Sequence, residues 1–156
     1  MLAVGEIPNE KRLTMREVVL FVQAFRLSLK AQRVRSKALD LVATDMTSAA
    51  FLPRGVAVGE AVRAAERACS RVGRWARGLD SCLTRSLVAG TLLADRPGVF
   101  VHVGFRAPAS GNPADGHAWV SVGDEEVGVV TPPDHAGPFV EALRLPMRRG
   151  GAGVAR

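Results

Sequence analysis

At 156 residues, with 47% hydrophobic and 23% charged residues and a slightly positive mean hydropathy, the chain has the size and composition of one globular domain that can bury a core without metals or disulfides. These values exclude a disordered or fibrous chain, and no apolar run approaches the ~18 residues of a membrane span. The net charge of +6 is carried by arginine, with lysine only at Lys11, Lys30 and Lys37; it predicts an acidic partner, while the lack of any Tyr or nucleic-acid-reading motif speaks against DNA or RNA.

The region of Glu6 and Glu10 lacks the basic-then-apolar layout of a signal peptide, so a cytoplasmic location is expected, where Cys69 and Cys82 stay thiols. Residues 1–13 lack sustained periodicity and read as a loose arm. Thr14-Met15-Arg16-Glu17 is a capping-box pattern, in which Thr accepts from the helix start and Glu reaches back to it. Val18, Phe21, Val22, Phe25 and Leu29 then recur at helical spacing and predict an amphipathic helix docked through that stripe. Ser36 to Met46 predicts a second, short helix, and Pro53 and Gly55 break the chain after it.

Ala57 to Arg77 is helical again, with Val58, Val62, Ala65, Cys69, Val72 and Trp75 near one face. Arg63, Arg67, Arg71 and Arg74 form a basic ridge on another; most such ridges are merely solvated, and one with a task would dock an acidic peptide or partner. Cys69, mid-helix among alanines, reads as packing. Gly78 ends this pattern, and Asp80 or Ser81 caps a new helix whose first turn holds Cys82. A thiol there meets the positive end of the helix dipole, which favours the nucleophilic thiolate, although the stretch alone fits a packed cysteine at least as well.

Asp95-Arg96-Pro97-Gly98 reads as a turn, Val99 to Arg106 as a strand, and Ala107 to Gly116 as a loop. His117 to Val122 is the next strand, Gly123-Asp124-Glu125 a hairpin turn, and Val127 to Val130 its return, ended by Pro132-Pro133. Phe139 to Leu145 could be a helical turn or a short strand, and residues 148–156 read as a disordered tail after a single domain over 1–147. Helices followed by an antiparallel meander predict an α+β fold.

Three histidines could serve the thiol. His102 sits within a strand between two valines and His135 in a proline-rich loop, whereas His117 opens a strand directly after a Gly-rich loop, at a sheet edge. A helix-start cysteine facing a strand histidine is the arrangement in which cysteine proteases and transglutaminases form a thiolate–imidazolium pair, with a third polar group orienting the ring.

The run Cys82-Leu83-Thr84-Arg85-Ser86-Leu87-Val88, then Leu92-Leu93, Arg96-Pro97-Gly98-Val99, Val103-Gly104-Phe105-Arg106 and Gly116-His117-Ala118-Trp119-Val120, resembles in order and spacing the transglutaminase-like leader peptidases of lasso-peptide biosynthesis, over roughly residues 15 to 140. The resemblance implies a transglutaminase-like or papain-like core in which Cys82 attacks a peptide carbonyl and His117 moves the proton, with no cofactor and no metal. It also implies a ribosomal precursor peptide as substrate, a small separate protein that holds the leader, and an ATP-dependent macrolactam synthetase acting afterwards.

The resemblance further implies an aspartate near the end of the strand after the hairpin. Counting without a gap puts Val129 there, and a two-residue insertion puts Thr131 there. Asp134 is the nearest carboxylate beyond and is taken as the third residue, while Asp124 at the turn is expected to face solvent. Losing an orienting carboxylate can lower the rate by up to ~10⁴ in a serine triad, although cysteine enzymes can use Asn or manage with less. Two alternatives to a leader peptidase stay open: an acyltransferase that passes the Cys82-linked acyl group to an amine, and a catalytically weak peptide-binding module on the same fold.

Overall fold

Thr14 opens helix α1 (Met15–Val34) with the capping box expected there. The Glu17 N–H donates to Thr14 Oγ1 at 3.2 Å, and the Glu17 carboxylate accepts from the Thr14 N–H at 2.9 Å. The Thr14 N–H, together with the Thr14 hydroxyl that also donates to this carboxylate at 3.1 Å and aided by the nearby Arg67 and Arg63, holds the Glu17 carboxyl below its ordinary range. The computed structural model of the protein describes residues 14–34, 38–48, 54–74, 81–106, 115–127 and 139–149. Expectations for residues 1–13, for Pro132-Pro133 and for most of the tail therefore lie outside the described residues.

α1 docks through a different row from the one its large side chains suggest. Leu20, Ala24, Leu27 and Ala31 face the core, whereas Val18, Val22 and Leu29 are 40%, 42% and 36% exposed and only Phe21 and Phe25 pack against its margin. The reason lies in the partner. Helix α3 (Val58–Gly73) offers Ala61, Ala64, Ala65 and Ala68, and a face of alanines lets two helices approach closely through their smallest residues. The helices run parallel, tied by Arg16–Glu60 at one end (3.0 Å) and by Ser28 beside Cys69 at the other (3.4 Å). Between them in sequence, α2 (Leu39–Thr47) buries Val42, Ala43 and Met46, slightly later in the chain than predicted.

In α3, Ala65, Cys69 and Val72 of the predicted face are buried, and Cys69 is fully so, as expected of a packing residue. Helix α4 (Cys82–Leu92) runs through the centre, and every residue from Ser86 to Leu92 is buried. Each large apolar side chain removed from water there, such as Leu87, Val88 and Leu92, contributes roughly 1.5–3 kcal/mol.

Among the described residues four strands follow: β1 (Val99–Arg106), β2 (Asp115–Val122), β3 (Glu125–Val127) and β4 (Val140–Pro146). They form one antiparallel sheet of order β3-β2-β1-β4, so the predicted meander is present and β4, left open as turn or strand, adds to the free side of β1. Gly123 takes φ +63° in the β2–β3 turn, as a hairpin there requires, and its N–H donates to Gly98 O at 2.8 Å. Arg149, expected within the disordered tail, is instead placed by its N–H on Ala94 O at 3.1 Å. Val99, Val101, Ala118 and Val120 are buried, and α4 packs against their side of the sheet. Among the described residues, four helices against an antiparallel sheet make an α+β fold, as the sequence predicts.

Candidate active site

Ser81, in extended backbone (φ −91°, ψ 153°), is the N-cap of α4 and accepts from the Thr84 N–H at 3.2 Å. Cys82 is the first helical residue and is half-buried, so the thiol stands at the positive end of a helix that is sealed in the core from Ser86 to Leu92. One turn on, Ser86 Oγ donates to the carbonyl of Ala118 at 3.0 Å and ties this end of α4 to β2.

The direction of α4 over the sheet follows from two anchors. Ser86 meets Ala118; at Gly90, a Cβ would sit 2.9 Å from Val101, whose cross-strand partner is Val120. Four helical residues rise ~6 Å and two strand residues ~6.6 Å, so the helix advances along β2 almost residue pair by residue pair. The same step taken backwards from Ser86 carries Cys82 to the level of Gly116 and His117. At that level β2 has no partner on its outer side among the described residues, since β3 pairs only with Val120, Ser121 and Val122.

His117 is half-buried, and its Nε2 is enclosed with no hydrogen-bond partner among the described residues. Its ring belongs to a row across one sheet face. Phe139 lies 5.0 Å from it, Trp119 6.1 Å on the other side, and His102 5.3 Å beyond Trp119 with the planes 8° apart. Arg106 covers Phe139 at 5.0 Å and Arg144 covers Phe100, next to His102, at 3.9 Å. Gly104 makes the row possible, because a Cβ there would be 3.0 Å from the Trp119 ring and 2.8 Å from Val140 O.

Strand alternation places Ala118 and Val120 on the side of α4 and His117 on the other face of β2, with Trp119 and His102. No hydrogen bond joins Cys82 to His117. The expected third residue, Asp134, lies outside the described residues, as do Val129, Thr131 and His135. Asp124 is exposed in the turn beyond Val122, five strand residues or roughly 17 Å from His117, and cannot orient it.

Sequence reasoning missed one cluster. His102, read only as a strand-face residue, is buried, with Nδ1 hydrogen-bonded to the Glu141 carboxylate and Nε2 2.8 Å from Ser121 Oγ. Glu141 could not be found from sequence because the type of its element was open. Ser86, four residues after Cys82 and therefore on its face, carried a legible signal. Among the described residues no three His, Cys, Asp or Glu side chains are grouped to hold a metal ion, and no helix is long and apolar enough to cross a membrane.

The chain matches no curated protein and no solved structure. The model of the transglutaminase-like superfamily matches residues 19–140, a span that begins in α1 and ends at the first residue of β4. Proteins of this superfamily are usually cysteine peptidases or acyltransferases. With residues 19–140 matched, most of its length, the chain belongs to the transglutaminase-like superfamily.

Proposed function

We propose that the protein is a cysteine peptidase that removes the leader from a ribosomally made lasso-peptide precursor. The observation that supports it most is the tether between Ser86 and Ala118, which puts the Cys82 turn beside the residue that follows His117. In this reading the Cys82 thiolate adds to the carbonyl carbon of the scissile peptide bond. His117, protonated as the thiolate forms, gives its proton to the leaving amine, and the C–N bond breaks to leave a thioester. Water, deprotonated by His117, then releases the leader as a free carboxylate and regenerates the thiol. The enclosed Nε2 of His117 leaves a place for an orienting acceptor, which we assign to Asp134.

The working complex in this proposal is the precursor, this protein and a separate leader-binding protein, in the cytoplasm, followed by an ATP-dependent macrolactam synthetase. A lasso precursor incubated with the protein and that partner, and followed by mass spectrometry, should split into two fragments whose masses sum to the precursor plus one water. Removal of the partner should slow the reaction. An intact precursor under both conditions sinks the proposal, and leader released as an amide assigns acyl transfer instead. The missing hydrogen bond between Cys82 and His117 favours a second reading, a peptide-binding module; retention of uncleaved precursor would select it.

A further inference from the structure

The side of the helical layer formed by α1 and α3 carries two features that the reading above does not use. The first is a groove of about 640 Å³ between the helices. Its floor is Leu20, Phe21 and Ala64, and Arg63, Arg67, Arg71 and Arg74 of α3 stand along it. The second is the apolar row of α1 that the core leaves outside, Val18, Val22 and Leu29, adjoining the groove through Phe21 and Phe25.

Charge decides what these features can receive. Of the three carboxylates along the groove, Glu17 accepts from Thr14 and Glu60 from Arg16 and the Ala57 N–H, so these two are engaged within the protein and Glu66 is the third. None of Arg63, Arg67, Arg71 and Arg74 has an ion-pair or hydrogen-bond partner among the described residues. With Arg63 and Arg67 near Glu17, and Glu66 set against the remaining arginines, the wall keeps a net positive charge, and it flanks exposed valine and leucine side chains. From Glu60 to Arg74 the wall rises roughly 21 Å, the length of about four turns of a helix laid in it.

We infer that this surface docks an acidic amphipathic helix of a partner protein, with the apolar face of that helix on Phe21, Val18 and Val22 and its carboxylates against Arg67 and Arg71. A second copy of the chain would bring the same four arginines together and be repelled. A flat membrane surface would leave the groove floor uncovered, and Phe21, the one ring lining the groove among the described residues, offers no succession of platforms on which bases could stack. The inference is independent of the peptidase reading, because none of these residues lies at Cys82 or His117.

The test is fluorescence anisotropy of the full chain with a labelled synthetic peptide of about four helical turns, leucine on one face and glutamate on the other. A scrambled peptide of the same composition is the control. The ordered peptide should bind and the scrambled one should not, with Kd rising as salt is added. The double variant Arg67→Glu/Arg71→Glu and the single variant Val22→Asp, both on exposed positions and checked for unchanged helicity, should each weaken binding by about tenfold or more. Equal binding of ordered and scrambled peptides, or unchanged affinity in both variants, overturns the inference. So does a dimer in sedimentation that Val22→Asp dissolves, or tighter, Arg67-dependent binding of anionic vesicles or a short RNA.

Discussion

Ser86 Oγ and the carbonyl of Ala118, 3.0 Å apart, form the bond that ties the start of the cysteine helix to the strand of His117. Removing the donor leaves a buried carbonyl with one partner fewer and frees the helix start to drift. Ser86→Ala should therefore lower stability by about 1 kcal/mol. It should also lower kcat for precursor cleavage by more than about tenfold, with KM little changed, since displacing a reacting group by even an ångström is that expensive in rate. Denaturant titration and steady-state kinetics on one preparation separate the two effects; a loss in KM alone would show that Ser86 does not position the thiol.

Cys82 and Cys69 should behave in opposite ways. Cys82→Ala is expected to remove cleavage by at least ~10³-fold while thermal unfolding stays as in wild type, because the side chain is half-buried at a helix start and makes no hydrogen bond among the described residues. Cys69→Ala should cleave normally but unfold more easily by about 1 kcal/mol, as a fully buried sulfur is lost beside Ser28, whose hydroxyl keeps its bond to Ala24 O at 2.8 Å. Rapid iodoacetamide alkylation confined to Cys82 would agree with this, and a Cys82 variant that still processes precursor would end the catalytic assignment.

Three carboxylates can be ranked as the group that orients His117. Asp134→Asn should lower the cleavage rate strongly, by up to ~10⁴-fold. Asp124→Asn should have no effect, since the hairpin holds that residue roughly 17 Å away. Glu141→Gln should cost at most about 1 kcal/mol of stability, because the amide can still hydrogen-bond the His102 ring from a half-exposed position, and should leave cleavage unchanged, because that carboxylate is committed to His102. A large rate loss in Glu141→Gln with Asp134→Asn active would move the catalytic histidine from His117 to His102.

Gly104→Ala should be the most disruptive small substitution in the sheet. Its Cβ would lie 2.8 Å from Val140 O and 3.0 Å from the Trp119 ring, at the point where the β1–β4 register shifts. Neither a backbone carbonyl nor a packed indole can yield cheaply, so a loss of about 1–3 kcal/mol is expected, read as a lower denaturant midpoint with unchanged slope. Wild-type stability in this variant would mean that Trp119 does not lie over Gly104.

Features governed by neighbours in the chain were legible in the sequence. Thr14 and Glu17 cap α1, a polar residue caps the cysteine helix, Val99 to Arg106 is a strand, and Gly123 turns a hairpin, because caps, β-branched runs and positive-φ glycines act within a few residues of themselves. Only the tertiary structure decided which of the two apolar rows of α1 is buried, because that depends on the alanine face presented by α3, some forty residues away in the chain. It likewise decided that His102 is held by Glu141 and Ser121 and that Ser86 reaches Ala118. Hydrogen bonds between strands and helices far apart in sequence leave no periodic trace in either partner, and they exist only once the sheet register has brought the partners level.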